Sequence, residues 1–283
     1  MIRLGLVLAA AVAGPAFGAD LEEARNLYNH TEYERSIEVL RSIAVKDAAA
    51  YALTGRDEYM LADFKRASEA FEKAAALEAN NSDYALWLGR AYGRRAETSS
   101  PLTAPAYASR ARQNFERAVQ LNPSNLDAWN DLFEYYLEAP GFLGGGLDKA
   151  RAAAARIAQI DPGEGYQAQA KLAEKRKEYA TAEMELRRAV EAAPQKVGRF
   201  IEQARFLARQ GRFHESDQSL ARAEKLAPES PRVIFAKADI YLKSGRNRDE
   251  AVRLLRHYMT LSLSPDDPPR QDAAKLLRQA QGG

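Results

Sequence analysis

Apolar residues recur at helical spacing along nearly the whole chain, and the arrangement itself returns with a period of about 34 residues. Small apolar residues and large ones alternate on one stripe, as in Ala67, Phe71 and Ala74, or Ala111, Phe115 and Ala118. Each such stripe closes on a similar landmark: Ala76 to Asn80, Leu121-Asn122-Pro123, Ile160-Asp161-Pro162, Ala192-Ala193-Pro194 and Leu226-Ala227-Pro228. A residue before proline is pushed out of helical geometry, so the prolines are expected to end helices. The pattern predicts stacked helix pairs, none of which buries its apolar face alone. A stack of this kind offers an extended curved surface in place of a cleft.

The units carry a recognisable signature. Leu88-Gly89 and Tyr92 sit on the first helix of the third unit, and Ala111, Phe115, Ala118, Leu121 and Pro123 mark its second. Tyr51, Gly55, Ala67 and Phe71 belong to the second unit; Trp129, Leu132, Tyr136, Ala150 and Ala154 to the fourth. The later units show Ala170, Tyr179 and Leu186, then Ala204, Phe213 and Leu220, then Ala238, Tyr241, Ala251 and Leu255; the first, with Ala24, Leu27, Tyr33 and Leu40, is weaker. Over nearly all of its length beyond residue 18 the chain resembles the tetratricopeptide repeat family. The resemblance implies an all-α, right-handed α-solenoid of about seven helix pairs. The array is expected over 19–263, with a C-terminal capping helix and tail over 264–283, where Ala273, Ala274, Leu276 and Leu277 would pack on the last unit.

Two insertions interrupt the period. One adds residues around 94–105; the other adds a loop at 138–146 that carries Pro140, Phe142 and Leu143 among glycines. Insertions in repeats map to loops on one face, often the binding face, so Pro140, Phe142 and Leu143 are a candidate lid.

Residues 1–18 read as a secretory leader. Arg3 gives the positive start, Leu4 to Val12 the apolar stretch, and Ala16-Phe17-Gly18 the small residues before cleavage, expected after Gly18 or, second, after Ala19. The stretch is shorter than the about 20 residues a membrane-spanning helix needs, and no later one is apolar enough. Stable membrane insertion is therefore not expected, and a periplasmic location is.

Composition narrows the chemistry. A content of 46% hydrophobic and 28% charged residues describes a packed, soluble chain. Net charge is +2, but the part before residue 142 is acidic and the rest basic, which suits an acidic partner. The absence of cysteine excludes disulfides and thiolate chemistry. His30, His214 and His257 share no ligand spacing, and no Gly-Lys-Ser/Thr follows Gly144-Gly145-Gly146. Lys175-Arg176-Lys177 and Arg187-Arg188 alternate with glutamates, which argues for local ion pairs and against nucleic acid. The expectation is a chain that is not an enzyme and has no cofactor or metal.

In the family the first helix of each unit lines the concave face. Counting from the Leu-Gly site places Arg25, Arg56, Arg90, Glu134, Lys171, Arg205 and Asp239 in one inward row. Tyr59, Arg94 and Arg209 extend it. The candidate groove residues are thus Arg56, Tyr59, Arg90, Arg94, Lys171, Arg205 and Arg209. A basic and apolar lining fits an acidic or amphipathic segment of a partner protein. The family's paired lysines and asparagines for a terminal carboxylate are not found, since Asn130 is followed by Glu134 where a second asparagine would be needed. Two functions follow: a non-catalytic periplasmic scaffold that binds a partner segment in its groove, or a carrier of an apolar small molecule or lipid within the superhelix.

Overall fold

The structure, a computed structural model, describes residues 15–282. The leader read at 1–18 lies outside the described residues except for 15–18, which open the first helix. Seven antiparallel helix pairs follow one another: α1 (Pro15–Asn29) with α2 (Tyr33–Ser42), α3 (Ala48–Met60) with α4 (Phe64–Leu77), α5 (Ser82–Thr98) with α6 (Ala104–Leu121), and α7 (Leu126–Glu138) with α8 (Leu147–Ile160). They continue as α9 (Pro162–Lys175) with α10 (Tyr179–Ala192), α11 (Val197–Arg209) with α12 (Phe213–Leu226), and α13 (Pro231–Lys243) with α14 (Arg248–Tyr258); α15 (Arg270–Gly282) closes the chain. No strand occurs among the described residues. The protein is an α-solenoid.

The periodic small residues set how closely the two helices of a unit cross. A Cβ on Gly89 would stand 2.6 Å from the Phe115 ring, and one on Gly55 would stand 2.8 Å from Phe71. Only glycine leaves room for the rings, which are buried between units. Ser36 and Ser216 occupy equivalent places in the first and sixth units. Their hydroxyls donate to the carbonyls of Ala24 (3.0 Å) and Ala204 (2.9 Å), tying the second helix of a unit to its first. Helix starts are capped by Asp47, Asp63, Asn81, Asn125 and Asp161, whose side chains accept from backbone N–H groups two or three residues on. Asp161 before Pro162 is extended and α8 ends at Ile160, as expected, but Pro162 also has a second role. It stands at the first position of α9, where its missing N–H costs nothing and its fixed φ suits the helix.

First helices of neighbouring units come close along the array, α3 with α5, α5 with α7, α7 with α9 and α11 with α13, whereas the backbones of second helices stay more than 8 Å apart. Odd-numbered helices therefore take the shorter, inner arc. One step differs: no Cα atoms of α9 and α11 come within 8 Å of each other. There α10 makes the apolar contact to α11, and ion pairs bridge the inner helices.

The first insertion is not the loop expected. Its alanines, and Pro105 in the first turn of α6, favour helix, so the added residues lengthen α5 and α6 and leave only a short turn at 99–103. The extension is held by Tyr92 stacked on Tyr107 at 6.1 Å and by the Arg95 guanidinium 4.1 Å above the Tyr107 ring. The second insertion does remain a loop, with a 3-10 turn at Gly141–Leu143.

Candidate functional site

On the inner arc the aromatic Trp87 of α5 organises the second and third units. Arg56 (5.2 Å) and Arg90 (4.9 Å) both lie over its ring, which packs edge-on to Tyr59 at 5.5 Å and stacks on Phe71 at 5.9 Å. Arg94 lies 4.9 Å above the ring of Phe64, which itself meets Tyr59 at 5.4 Å. Two cations at one indole cost repulsion unless anions compensate. Arg90 has them: its Nε donates to Asp131 at 2.5 Å and its guanidinium is 3.7 Å from Asp127. Burial works against the Arg90 charge, but Asp131 outweighs it and holds its pKa above the ordinary arginine value. Burial raises the Asp131 carboxyl, and Arg90 opposes that rise.

Arg56 has no such compensation. It makes no hydrogen bond or ion pair to any described residue, and its Nε is buried without a partner. Beside it stands the Tyr28 phenol, pushed up to about 12 by burial while Arg56 pulls the other way.

The remaining basic positions are matched by acids. Lys171 bonds to Glu134, and Lys175 to Glu138 at 2.7 Å. Arg209 grips Glu174 with two bonds of 2.7 and 2.8 Å, Arg205 pairs with Glu202 at 2.6 Å, and Arg94 with Glu97 at 2.7 Å. Asp127, Asp131, Glu134 and Glu138 form an acidic stripe on α7 that takes Arg90 from the unit before and Lys171 and Lys175 from the unit after. The row described as basic from the sequence is thus matched by acids, across units at Arg90, Lys171 and Arg209 and within one helix at Arg94 and Arg205, with Arg56 left over. The acidic stripe was readable as Asp-x3-Asp-x2-Glu-x3-Glu, a spacing that keeps all four on one helical face. Trp87, adjacent to Leu88-Gly89, was passed over.

The two groups of candidate residues meet in one place. Tyr59, Arg90 and Arg94, with Pro140 and Leu143 of the inserted loop, line a cavity of about 530 Å³ whose floor includes Phe115. The loop is fixed as a wall. The Tyr135 hydroxyl donates to the Leu143 carbonyl at 2.9 Å, Lys149 to that of Gly144 at 2.9 Å, and the Gly146 N–H to Tyr136 at 2.8 Å. A Cβ at Gly145 would fall 1.8 Å from the Ala139 carbonyl oxygen, so only glycine closes this turn. Phe142 does not line the cavity and is 82% exposed. Arg205 and Arg209 lie apart, around a smaller cavity of about 110 Å³ with Asp239 and Lys243, and Lys171 lies at neither. Among the described residues no cluster of His, Asp or Glu could hold a metal ion.

Solved structures identify the architecture. A tetratricopeptide repeat protein from Parabacteroides merdae superposes with a TM-score of 0.60 over 95% of this chain and 100% of its own, at 11% identity. The fold is the tetratricopeptide fold. A thermophilic protein of the same kind from Thermus thermophilus matches 71% of this chain and 98% of its own, with a TM-score of 0.53 and 17% identity. No protein-family model and no curated protein sequence matches the chain. The tetratricopeptide array is shared as geometry. No described helix of the array is long and apolar enough to cross a membrane.

Proposed function

We propose that this chain is an exported, non-catalytic scaffold that holds an amphipathic, carboxylate-bearing segment of a partner protein on its inner arc. The tetratricopeptide fold supports the coarser reading, a surface for protein partners. The observation that carries the finer one is the unpaired Arg56 joined through Trp87 and Tyr59 to a largely apolar cavity. An apolar side chain of the partner fills the cavity between Phe115 and Leu143. A carboxylate a few residues away meets Arg56, which stacking on Trp87 holds in place before binding. The neighbouring ion pairs leave no other uncompensated cation in the inward row, so charge selects register as well as partner. The leader read at 1–18 supports export to the periplasm, and the mature protein should begin at Ala19 or Asp20, as intact mass of protein recovered from the envelope fraction would show.

A series of amphipathic peptides with one apolar face and increasing numbers of carboxylates tests this. Affinity should rise with the first carboxylate and little with further ones, fall with salt, and drop roughly tenfold in Arg56→Gln, the loss of one charge-assisted hydrogen bond. Arg56 is the better probe than Arg90 or Arg205, because its replacement removes no ion pair within the fold. Equal binding of all peptides, or no effect of Arg56→Gln, rejects the reading. The cavity's volume and apolar walls favour a second reading, a carrier of a small apolar molecule or lipid. Native mass spectrometry of the purified chain would then show a stoichiometric small-molecule adduct that Leu143→Asp abolishes.

A further inference from the structure

The two ends of the array meet. The segment after α14 turns back over the seventh unit, where the Tyr258 hydroxyl donates to the Pro268 carbonyl and Arg270 to that of Leu261. Asp267 accepts from the N–H and the hydroxyl of Ser264, both at 2.9 Å, which sets the bend at 264–267. α15 then packs on α13 and α14 with Ala273 and Ala280 buried, and Arg248 donates to the Ala280 carbonyl at 2.5 Å. This extension belongs structurally to the last unit. It nevertheless reaches the first two: the Gln271 amide donates to the Met60 carbonyl at the end of α3, 2.7 Å away and 211 residues earlier. Asp267 and Arg270 lie near enough to Tyr33 of α2 to act on its phenol.

The joint is loosely made. Gln271 to Met60 is the only hydrogen bond across it among the described residues, and no ion pair crosses it. A cavity of about 430 Å³ lies between the two sides, walled by Tyr33, Met60 and Leu61 on one and by Leu263, Pro268 and Pro269 on the other. No Cα of α15 comes within 8 Å of α1–α4. Contacts that hold the extension to its own unit are many and buried; those that hold it to the far end are few.

We propose that residues 259–282 are a latch that closes the superhelix into a ring around the inner arc and opens at this joint. The inference rests on the inner arc being the binding surface, because closure then decides whether a segment must enter end-on or can be laid in from the side. Opening needs only the Gln271 bond and the small contact around Tyr33, Met60 and Leu263 to be given up, while α15 stays on the seventh unit.

The chain contains no cysteine, so Glu38→Cys with Ser262→Cys, both at exposed positions, takes two nitroxide labels and no others. Distances measured by double electron–electron resonance without any partner should show a narrow, short population as the main component. Gln271→Ala in the same background should raise the long-distance population on the order of fivefold, and Gln271→Glu, which sets a carboxylate against the Met60 carbonyl, at least as much. Unchanged circular dichroism would confirm that each variant keeps its helices. A broad, long distribution without the Gln271 change overturns closure. A narrow, short one in all three proteins overturns the latch and makes the joint rigid. Since no peptide is present, either failure leaves the reading of the groove to its own binding test.

Discussion

Asp57 is fully buried on α3, with one carboxyl oxygen hydrogen-bonded to the Ser36 hydroxyl at 2.7 Å and the other oxygen unpartnered. Burial pushes its pKa up from 3.8 to about 8, and the Ser36 bond only partly opposes this. The folded chain therefore keeps this proton where the unfolded chain has lost it. Stability from this group is greatest below the unfolded value and falls as pH rises through the folded one, by at most about 1.4 kcal/mol per pH unit. Urea midpoints at pH 5 to 8 should fall less in Asp57→Asn than in the unmodified protein; parallel curves would refute the assignment. Gly89→Ala sets two effects against each other. Alanine gains about 1 kcal/mol in helix propensity, but its methyl group would overlap the buried Phe115 ring, and overpacking costs about 1–3 kcal/mol. The net is a loss of about 1 kcal/mol, readable by thermal unfolding, and a gain would show that the ring has room to move.

Between elements, ion pairs differ by burial. Lys171 and Glu134 are each 43% exposed, so a double-mutant cycle should give only about 0.2–1 kcal/mol of coupling, reduced by salt. Arg199 on α11 is 2% exposed, 3.0 Å from Glu164 and 3.9 Å from Asp161, and its replacement by alanine removes packing as well as charge. Its loss should cost about 3 kcal/mol, since Glu164 and Asp161 remain without their shared cation; equal costs at Arg199 and Lys171 would contradict this ranking. The helices themselves were legible because their signal is repeated: Gly55 with Phe71 and Gly89 with Phe115 are the same pairing of a glycine and a ring, doing one job. The inward row was legible as positions and not as charges. Arg90, Lys171 and Arg209 read as a basic ladder because their partners lie 35 to 41 residues away, in the adjoining unit. Helix extension at 94–105 was hidden for a related reason, as a break in period says that residues are added and not what shape they take.

Across the whole molecule, stability runs from unit to unit, so the weakest joint governs how the array comes apart. Among the joints between successive units, that one lies between α9 and α11, where the inner helices stand apart and Arg209–Glu174 and Arg199–Glu164 span the gap. Hydrogen exchange should show the units before and after it losing protection as two blocks, more readily in high salt; uniform exchange along the array would refute this. The acidic stripe of α7 adds a rule of order. Cutting out the unit at 162–196 would bring Glu134 and Glu138 against Arg205 and Arg209, acid to base. Cutting out the unit at 126–161 would bring Arg90 and Arg94 against Lys171 and Lys175, base to base, and like charges placed opposite each other repel. The repeats share one shape but are not interchangeable beads: in a lineage that gains and loses units by duplication and deletion, α7 is the piece whose neighbours cannot be rejoined without it.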